Sequence, residues 1–197
     1  MVEALRSEYD ASAEALTGDV ADEPTCQGLI EKISADHGRL DILVNNAGIG
    51  VSGDRIADST TEDFDQVLKT NLYSCYWLSR EAFKRMEKQA PAVDSRLRGA
   101  IINIASILGV ESWGGAGIYA ASKHGMMALT RAMAEEGEAA GIRVSAVCPA
   151  MVATPMTGKT GEDYIQPGDV AASVTHLLEQ SPAAWPTEIV IRRRGSS

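Results

Sequence analysis

One stretch, "GAIINIAS" (residues 99–106), is apolar almost without a break, and "IRVSAVCP" (residues 142–149) reads as a second strand. Alternation of apolar and polar residues marks a strand with one wet face, whereas a continuous β-branched run marks a strand covered on both faces. Helix-period segments lie between such runs. "CQGLIEKISADHG" carries Leu29, Ile30 and Ile33 at helical spacing and offers Gly38 as a stop. A long helical stretch is expected from Thr61 to Gln89, opened by "STTEDF", an N-cap followed by an acidic first turn that suits the helix dipole. A further helix is expected from Tyr119 to Ala140, and "PGDVAASVTHLLEQ" reads as another, with Pro167 and Asp169 near its start. "LDILVNNAG" and "TEIVIRR" supply two more strands. Strand–helix alternation of this kind gives an α/β, doubly wound fold, a parallel sheet with helices on both faces. No repeat or low-complexity linker interrupts it, so residues 1–197 are read as a single domain.

Composition narrows the partners. A formal net charge of −9 argues against nucleic acid, which demands a basic face. The one dense basic run, Arg192-Arg193-Arg194, reads as a solvated end. Cys26, Cys75 and Cys148 are odd in number and form no C-x-x-C pair, so reduced thiols and a cytoplasmic setting are expected. His37, His124 and His176 show no metal-ligand spacing, and no metal site is expected. The start, "MVEALRSEYD", is acidic and polar, unlike a signal peptide. The longest apolar run, "AIINIASILGV", is too short to span a membrane.

The chemistry concentrates in "IYAASKHG". Tyr119 stands four residues before Lys123, which on a helix stacks the two side chains on one face. A tyrosine of ordinary pKa, about 10, is a poor base, and a cation within about 4–6 Å favours its phenolate. Such a phenol can exchange a proton with an oxygen whose carbon exchanges a hydride. Ser106 ends the strand "AIINIAS", at the carboxyl edge where α/β sheets place ligands, 13 residues before Tyr119. Its hydroxyl is placed to hydrogen-bond a carbonyl oxygen. "NNAG", Asn45 to Gly48, ends another strand with amides that can brace strand ends and small residues that admit a flat ligand.

Together these stretches resemble the short-chain dehydrogenase/reductase family, from about Thr17 to Arg192. "NNAG" is similar to its strand-end motif, "NLYS" (residues 71–74) to its N-x-x-S helix motif, and Ser106, Tyr119 and Lys123 to its Ser…Tyr-x-x-x-Lys active site. The resemblance implies an NAD- or NADP-dependent oxidoreductase that interconverts a small-molecule secondary alcohol and a ketone. It implies Tyr119 as acid/base, with Lys123 lowering its pKa and holding the nicotinamide ribose. Ser106 would orient the substrate oxygen, and Asn71 would position a water that relays protons toward Lys123. Asn46, Ala47 and Gly48 would line the cofactor, Asp19 and Val20 would meet the adenine, and Pro149, Val152 and Thr154 would lie near the nicotinamide. A homodimer or homotetramer is implied, built partly on the helices at Thr61–Gln89 and Tyr119–Ala140. The region Pro155–Gln166 matches the family's substrate lid, short here and rich in Gly and Thr, which points to an open site.

Two departures qualify the match. Ala150 stands where the family commonly has glycine; its methyl could crowd the nicotinamide or restrict the backbone, and tolerance is expected. The family's first two strands and its T-G-x-x-x-G-x-G pyrophosphate turn have no counterpart in the sequence. "GIGVSG" (residues 48–53) fits G-x-G-x-x-G but sits inside the NNAG loop, with no helix directly after it, and is read as a decoy. Without those strands, "AEALTGDV" has no direct neighbour and apolar faces of the sheet lose cover. The chain is therefore read as an N-terminally truncated Rossmann-like domain. Two alternatives stand beside the enzyme: a fragment that binds no dinucleotide, and an epimerase of related type, disfavoured by the short region after Thr154.

Overall fold

The structure, a computed structural model, describes residues 2–50, 55–93 and 96–195. It begins with a short helix, α1 (Val2–Tyr9), and residues 10–19 then run without regular structure. The segment "AEALTGDV" thus forms no strand. This is the expected outcome for a β-like sequence with no neighbouring edge to hydrogen-bond.

Helix α2 (Glu23–His37) is fixed at both ends by its sequence. The Asp22 carboxylate accepts from Thr25 N at 3.0 Å, Pro24 occupies the first turn, and Gly38 closes it at φ 73 with its N–H on Ser34 O. The long stretch read as one helix from Thr61 to Gln89 is continuous but not uniform. It comprises α3 (Thr61–Val67), a π-helical segment (Leu68–Tyr73) and α4 (Ser74–Lys88), and Thr60 Oγ1 caps it by accepting from Asp63 N at 3.1 Å. A π turn rotates the residues beyond it relative to an α-helix and recurs at functional sites. Here it turns Asn71 fully inward, at 0% exposure.

Four parallel strands form one sheet in the order β1 (Ile42–Asn45), β2 (Gly99–Ile104), β3 (Ile142–Pro149) and β4 (Glu188–Ile191). The segment read as doubly covered is β2, and every residue of its neighbour β3 is buried as well. One face carries three helices: Ile30 of α2, Ala82 and Met86 of α4, and Met133 of α5 (Gly117–Ala140) pack around Ile101, Ile142 and Val144. The other carries α6 (Pro167–Glu179), whose Val170, Val174 and Leu177 cover Ile102, Val147, Ile189 and Ile191. Asp169 closes a capping box with Gln166 at the start of α6.

Cover on that second face stops short of β1. The register pairs Ile42 with Ala100 and Val44 with Ile102, so both belong to the face of α6. They remain 46% and 42% exposed, the loss of cover foreseen from the sequence. On the opposite face, β1 is tied in by polar contacts. Asn45 Nδ2 donates to Ser79 Oγ at 2.9 Å and to Asn103 Oδ1 at 2.8 Å, and Asn103 Nδ2 donates to Thr130 Oγ1 at 2.8 Å. These buried bonds link β1, β2, α4 and α5 just behind the carboxyl edge of the sheet.

Candidate active site

At that carboxyl edge, the segments leaving β1, β2 and β3 surround a cleft of about 860 Å³. Asn46, Ala47 and Gly48 follow β1, Ser106 follows β2, and Pro149, Ala150, Val152 and Thr154 end or follow β3. Tyr119 and Lys123 enter it from the first turns of α5. Ser106 has an extended backbone and caps a 3₁₀ turn (Ile107–Gly109), its Oγ accepting from Leu108 N at 3.1 Å. Because that bond uses a lone pair, the hydroxyl hydrogen stays available for Tyr119 or for a ligand oxygen.

Lys123 is the buried charge of the site, 3% exposed, and its Nζ donates to the Ile104 carbonyl at 2.8 Å. The ammonium lies 5.7 Å from the centroid of the Tyr119 ring. A Cβ at position 48 would lie 3.4 Å from Asn71 Oδ1 and 3.7 Å from Lys123 Nζ, so the loop after β1 packs closely on both. Asn71 Oδ1 accepts from Ile49 N at 2.8 Å, while its Nδ2 donates to Ile49 O at 3.0 Å and to Ser122 Oγ at 3.1 Å. Both amide hydrogens of Asn71 are thereby committed to clamping the NNAG loop to α5. Only a lone pair of Oδ1 remains for the water expected from the resemblance.

Burial raises the phenol of Tyr119 above its ordinary value, and a hydrogen bond with Ser106 opposes that rise. Burial acts on Lys123 as well, pushing it down to about 8. Desolvation disfavours both charged forms, so the pair rests closer to neutral phenol and neutral amine than the spacing alone suggests.

The Lys123 shift predicts a pH dependence of stability. Native Lys123 releases its proton near pH 8, whereas an unfolded lysine holds it to 10.5. Between those values the unfolded chain binds more protons, and stability rises with pH. The thiols of Cys26, Cys75 and Cys148 act oppositely. Burial pushes them from 9.0 up to about 11, so stability falls as unfolded thiols ionise around pH 9. A net rise is expected only from about pH 7 to about pH 8, because by about pH 9 the three thiols together outweigh the single amine. Lys123→Met should flatten it in urea midpoints measured across that window, and a rise that survives the substitution would assign it to another group.

Asp19 and Val20 stand apart from the other expected residues, because they do not line the cleft. They form the turn before α2, where Asp19 Oδ1 accepts from Ala21 N at 2.9 Å and Val20 O accepts from the Cys26 thiol at 3.3 Å. Ala150 lines the cleft without backbone strain: among the described residues, Asp10 alone outside glycine has a positive φ. The decoy "GIGVSG" lies partly outside the described residues. Sequence reasoning missed Ser122, which anchors Asn71, and Thr157, whose Oγ1 donates to Val152 O at 2.6 Å and holds the segment after β3. It also missed Trp113, Met151 and Met156 at the opening of the cleft. Their signal was bulky apolar side chains in loops otherwise rich in Gly and Thr.

A family profile described as short chain dehydrogenase matches residues 1–165. The chain is similar to a 3beta-hydroxysteroid dehydrogenase of Mediterraneibacter gnavus, 33% identical over 82% of this chain and 56% of that protein. It is also similar to a sepiapterin reductase of Chlorobaculum tepidum, 32% identical over 92% of this chain and 73% of that protein. A 3-oxoacyl-acyl-carrier-protein reductase of Bos taurus is 35% identical over 84% of this chain and 70% of that protein. The chain thus spans little more than half the length of the first of these relatives. Among solved structures, ElxO with NADP bound superposes with a TM-score of 0.79 at 29% identity, over 96% of this chain and 81% of that one. An alcohol dehydrogenase from the archaeon Thermococcus sibiricus, complexed with 5-hydroxy-NADP, shares the fold at a TM-score of 0.88 and 19% identity, over 100% of this chain and 81% of that one. Matched along most of its length by the profile and by these relatives, the chain belongs to the short chain dehydrogenase family.

Proposed function

We propose that this chain carries the catalytic half of an NAD- or NADP-dependent oxidoreductase that interconverts a ketone and a secondary alcohol, with Tyr119 as acid/base. One observation carries the reading: Ser106, Tyr119 and Lys123, from β2 and α5, converge on a single cleft at the carboxyl edge of a parallel sheet. The donor set fits the nicotinamide–ribose half of a dinucleotide. Lys123 is a buried ammonium that spends one hydrogen on Ile104 O, and it faces the loop of Asn46, Ala47 and Gly48. Those residues, with Pro149, Val152 and Thr154, would hold that half, and the reduced nicotinamide supplies a hydride.

The chain's own residues handle the oxygen. Tyr119, kept protonated by burial, suits proton donation to a carbonyl oxygen, which favours the reductive direction at neutral pH. Ser106 Oγ–H donates to the same oxygen and fixes its position. As the proton leaves, charge develops on the phenolate, and the Lys123 ammonium stabilises it. The free lone pair of Asn71 Oδ1 accepts a water that returns a proton toward Lys123. Phe64, Tyr73 and Tyr76, exposed along α3, the π-helical segment and α4, support a homodimer or homotetramer built partly on that stretch.

Titration with NADPH and NADH, read by nucleotide fluorescence, tests the cofactor. A saturable change is expected for at least one of them, and Lys123→Met should weaken it about tenfold, the worth of a charge-assisted hydrogen bond. No response up to millimolar nucleotide would overturn the reading for this chain and leave it a non-binding fragment.

A further inference from the structure

The opening of the cleft holds three bulky apolar side chains that water reaches: Trp113 at 51% exposure, Met151 at 41% and Met156 at 56%. They come from two separate connections, one preceding α5 and one following β3. Exposed apolar side chains scattered singly need no explanation, but three at one opening mark a binding surface. The second connection is also well held. Thr157 Oγ1 donates to Val152 O at 2.6 Å and to Thr154 O at 3.0 Å, and Val152 bridges to Ile165. Met156 itself rests near the loop after β1, where a Cβ at Gly50 would lie 3.7 Å from its Cγ. Among the described residues, no Asp or Glu lines the cleft. The cations among its described lining residues are Lys123, already placed beside Tyr119, and Arg193, whose guanidinium lies 5.3 Å over the Tyr164 ring.

We infer that the cleft selects uncharged ketones and secondary alcohols with a bulky apolar body, gripped between Trp113 and the pair Met151 and Met156. The inference rests on the carbonyl-reduction reading for the reacting end, and on these three side chains for the rest of the molecule. A flat indole and two unbranched thioethers make a surface that adapts to irregular hydrocarbon. A small keto acid would cover little of this apolar surface and gain less from burying it than a bulky apolar body does, so small keto acids are disfavoured.

The test is calorimetric titration of the full chain with two probes, 2-decalone (bicyclic, uncharged) and levulinate (small, anionic), with no nucleotide present. Decalone should bind saturably and at least about tenfold more tightly than levulinate. Trp113→Ala and Met156→Glu should each weaken decalone about tenfold, the loss typical of a central contact residue. Both positions are open to solvent, so neither change is expected to disturb folding. Equal binding of the two probes, absence of decalone binding, or indifference to both substitutions would overturn the inference. Because this readout needs neither nucleotide nor turnover, it separates from the catalytic reading. Decalone binding that persists while Tyr119 proves dispensable would remove the catalytic role and keep the apolar opening.

Discussion

Tyr119→Phe is expected to lower ketone reduction about 10²–10⁴-fold, the usual worth of a positioned general acid. Nucleotide affinity should fall by no more than about tenfold, the limit for one neutral hydrogen bond. The contrast between the two losses is the informative quantity. The substitution removes one oxygen and keeps the ring 5.7 Å from the Lys123 ammonium, so packing and cleft shape are preserved. What disappears is the group that can release a proton at the carbonyl oxygen. Water in a half-enclosed cleft replaces it poorly, since it must be ordered and is a weaker acid at that position. The direction of the Tyr119 shift adds a pH test. Burial raises the phenol and Ser106 only partly opposes this, so the donor form persists through the neutral range. The reductive rate should hold across that range and decline as the phenol ionises at alkaline pH. Steady-state consumption of NADPH with decalone as acceptor checks both. A Phe variant with turnover close to the parent would eliminate Tyr119 as the acid and, with it, the proposed reaction.

The sheet was legible because burial on two faces leaves an unmistakable composition. "AIINI" fits neither an amphipathic helix nor a half-wet strand. Helix limits were legible where local chemistry decides them, as at Asp22, Gly38 and Thr60. The π-helical segment was not, because one extra residue in a turn leaves the apolar pattern of residues 61–88 nearly intact. That segment is what buries Asn71 and lets it hold Ile49, so the true neighbours of a motif residue were hidden by a local irregularity. Spacing alone brought Tyr119 and Lys123 together, yet it carried nothing of their desolvation. Proximity along a helix is a sequence property, whereas desolvation depends on the whole surrounding fold. The carbonyl of Ile104 that engages Lys123 belongs to another element, 19 residues earlier. Trp113, Met151 and Met156 carried no motif at all, and only their joint placement at one opening gives them meaning.

Arg143→Met is expected to destabilise the fold by about 3 kcal/mol, toward the cost of breaking a buried charge network. Arg143 is 1% exposed on the face of β3 that carries α6, and among the described residues its hydrogen-bond partners include no carboxylate. Its guanidinium instead meets the end of α6: Nη1 donates to Leu177 O at 2.9 Å, and Nη2 donates to Ser181 O at 2.8 Å, with longer bonds to Gln180 O. These are carbonyls at and just beyond the last turn of the helix, where the dipole is negative and the amide partners have run out. Methionine keeps the alkyl contact and removes every donor, so those carbonyls must find water or remain unpaired. Two effects compete. Burial lowers the pKa of Arg143, a sign that the charge is costly to bury, and deleting it recovers that cost. Stranding several carbonyls costs about 1–3 kcal/mol each where water cannot reach them. The second effect should dominate at Leu177, which is fully buried, and weaken toward Ser181, which is exposed. At a typical urea slope of about 2 kcal/mol/M, the midpoint should fall by about 1.5 M. The damage should also reach the cleft, because Pro167 and Val170 at the opposite end of α6 line it. Decalone binding in the Arg143 variant should therefore weaken under conditions where the protein is still folded. An unchanged midpoint would mean that the guanidinium's own desolvation cancels its carbonyl bonds, and that apolar packing of Val174, Leu177 and Leu178 alone anchors α6.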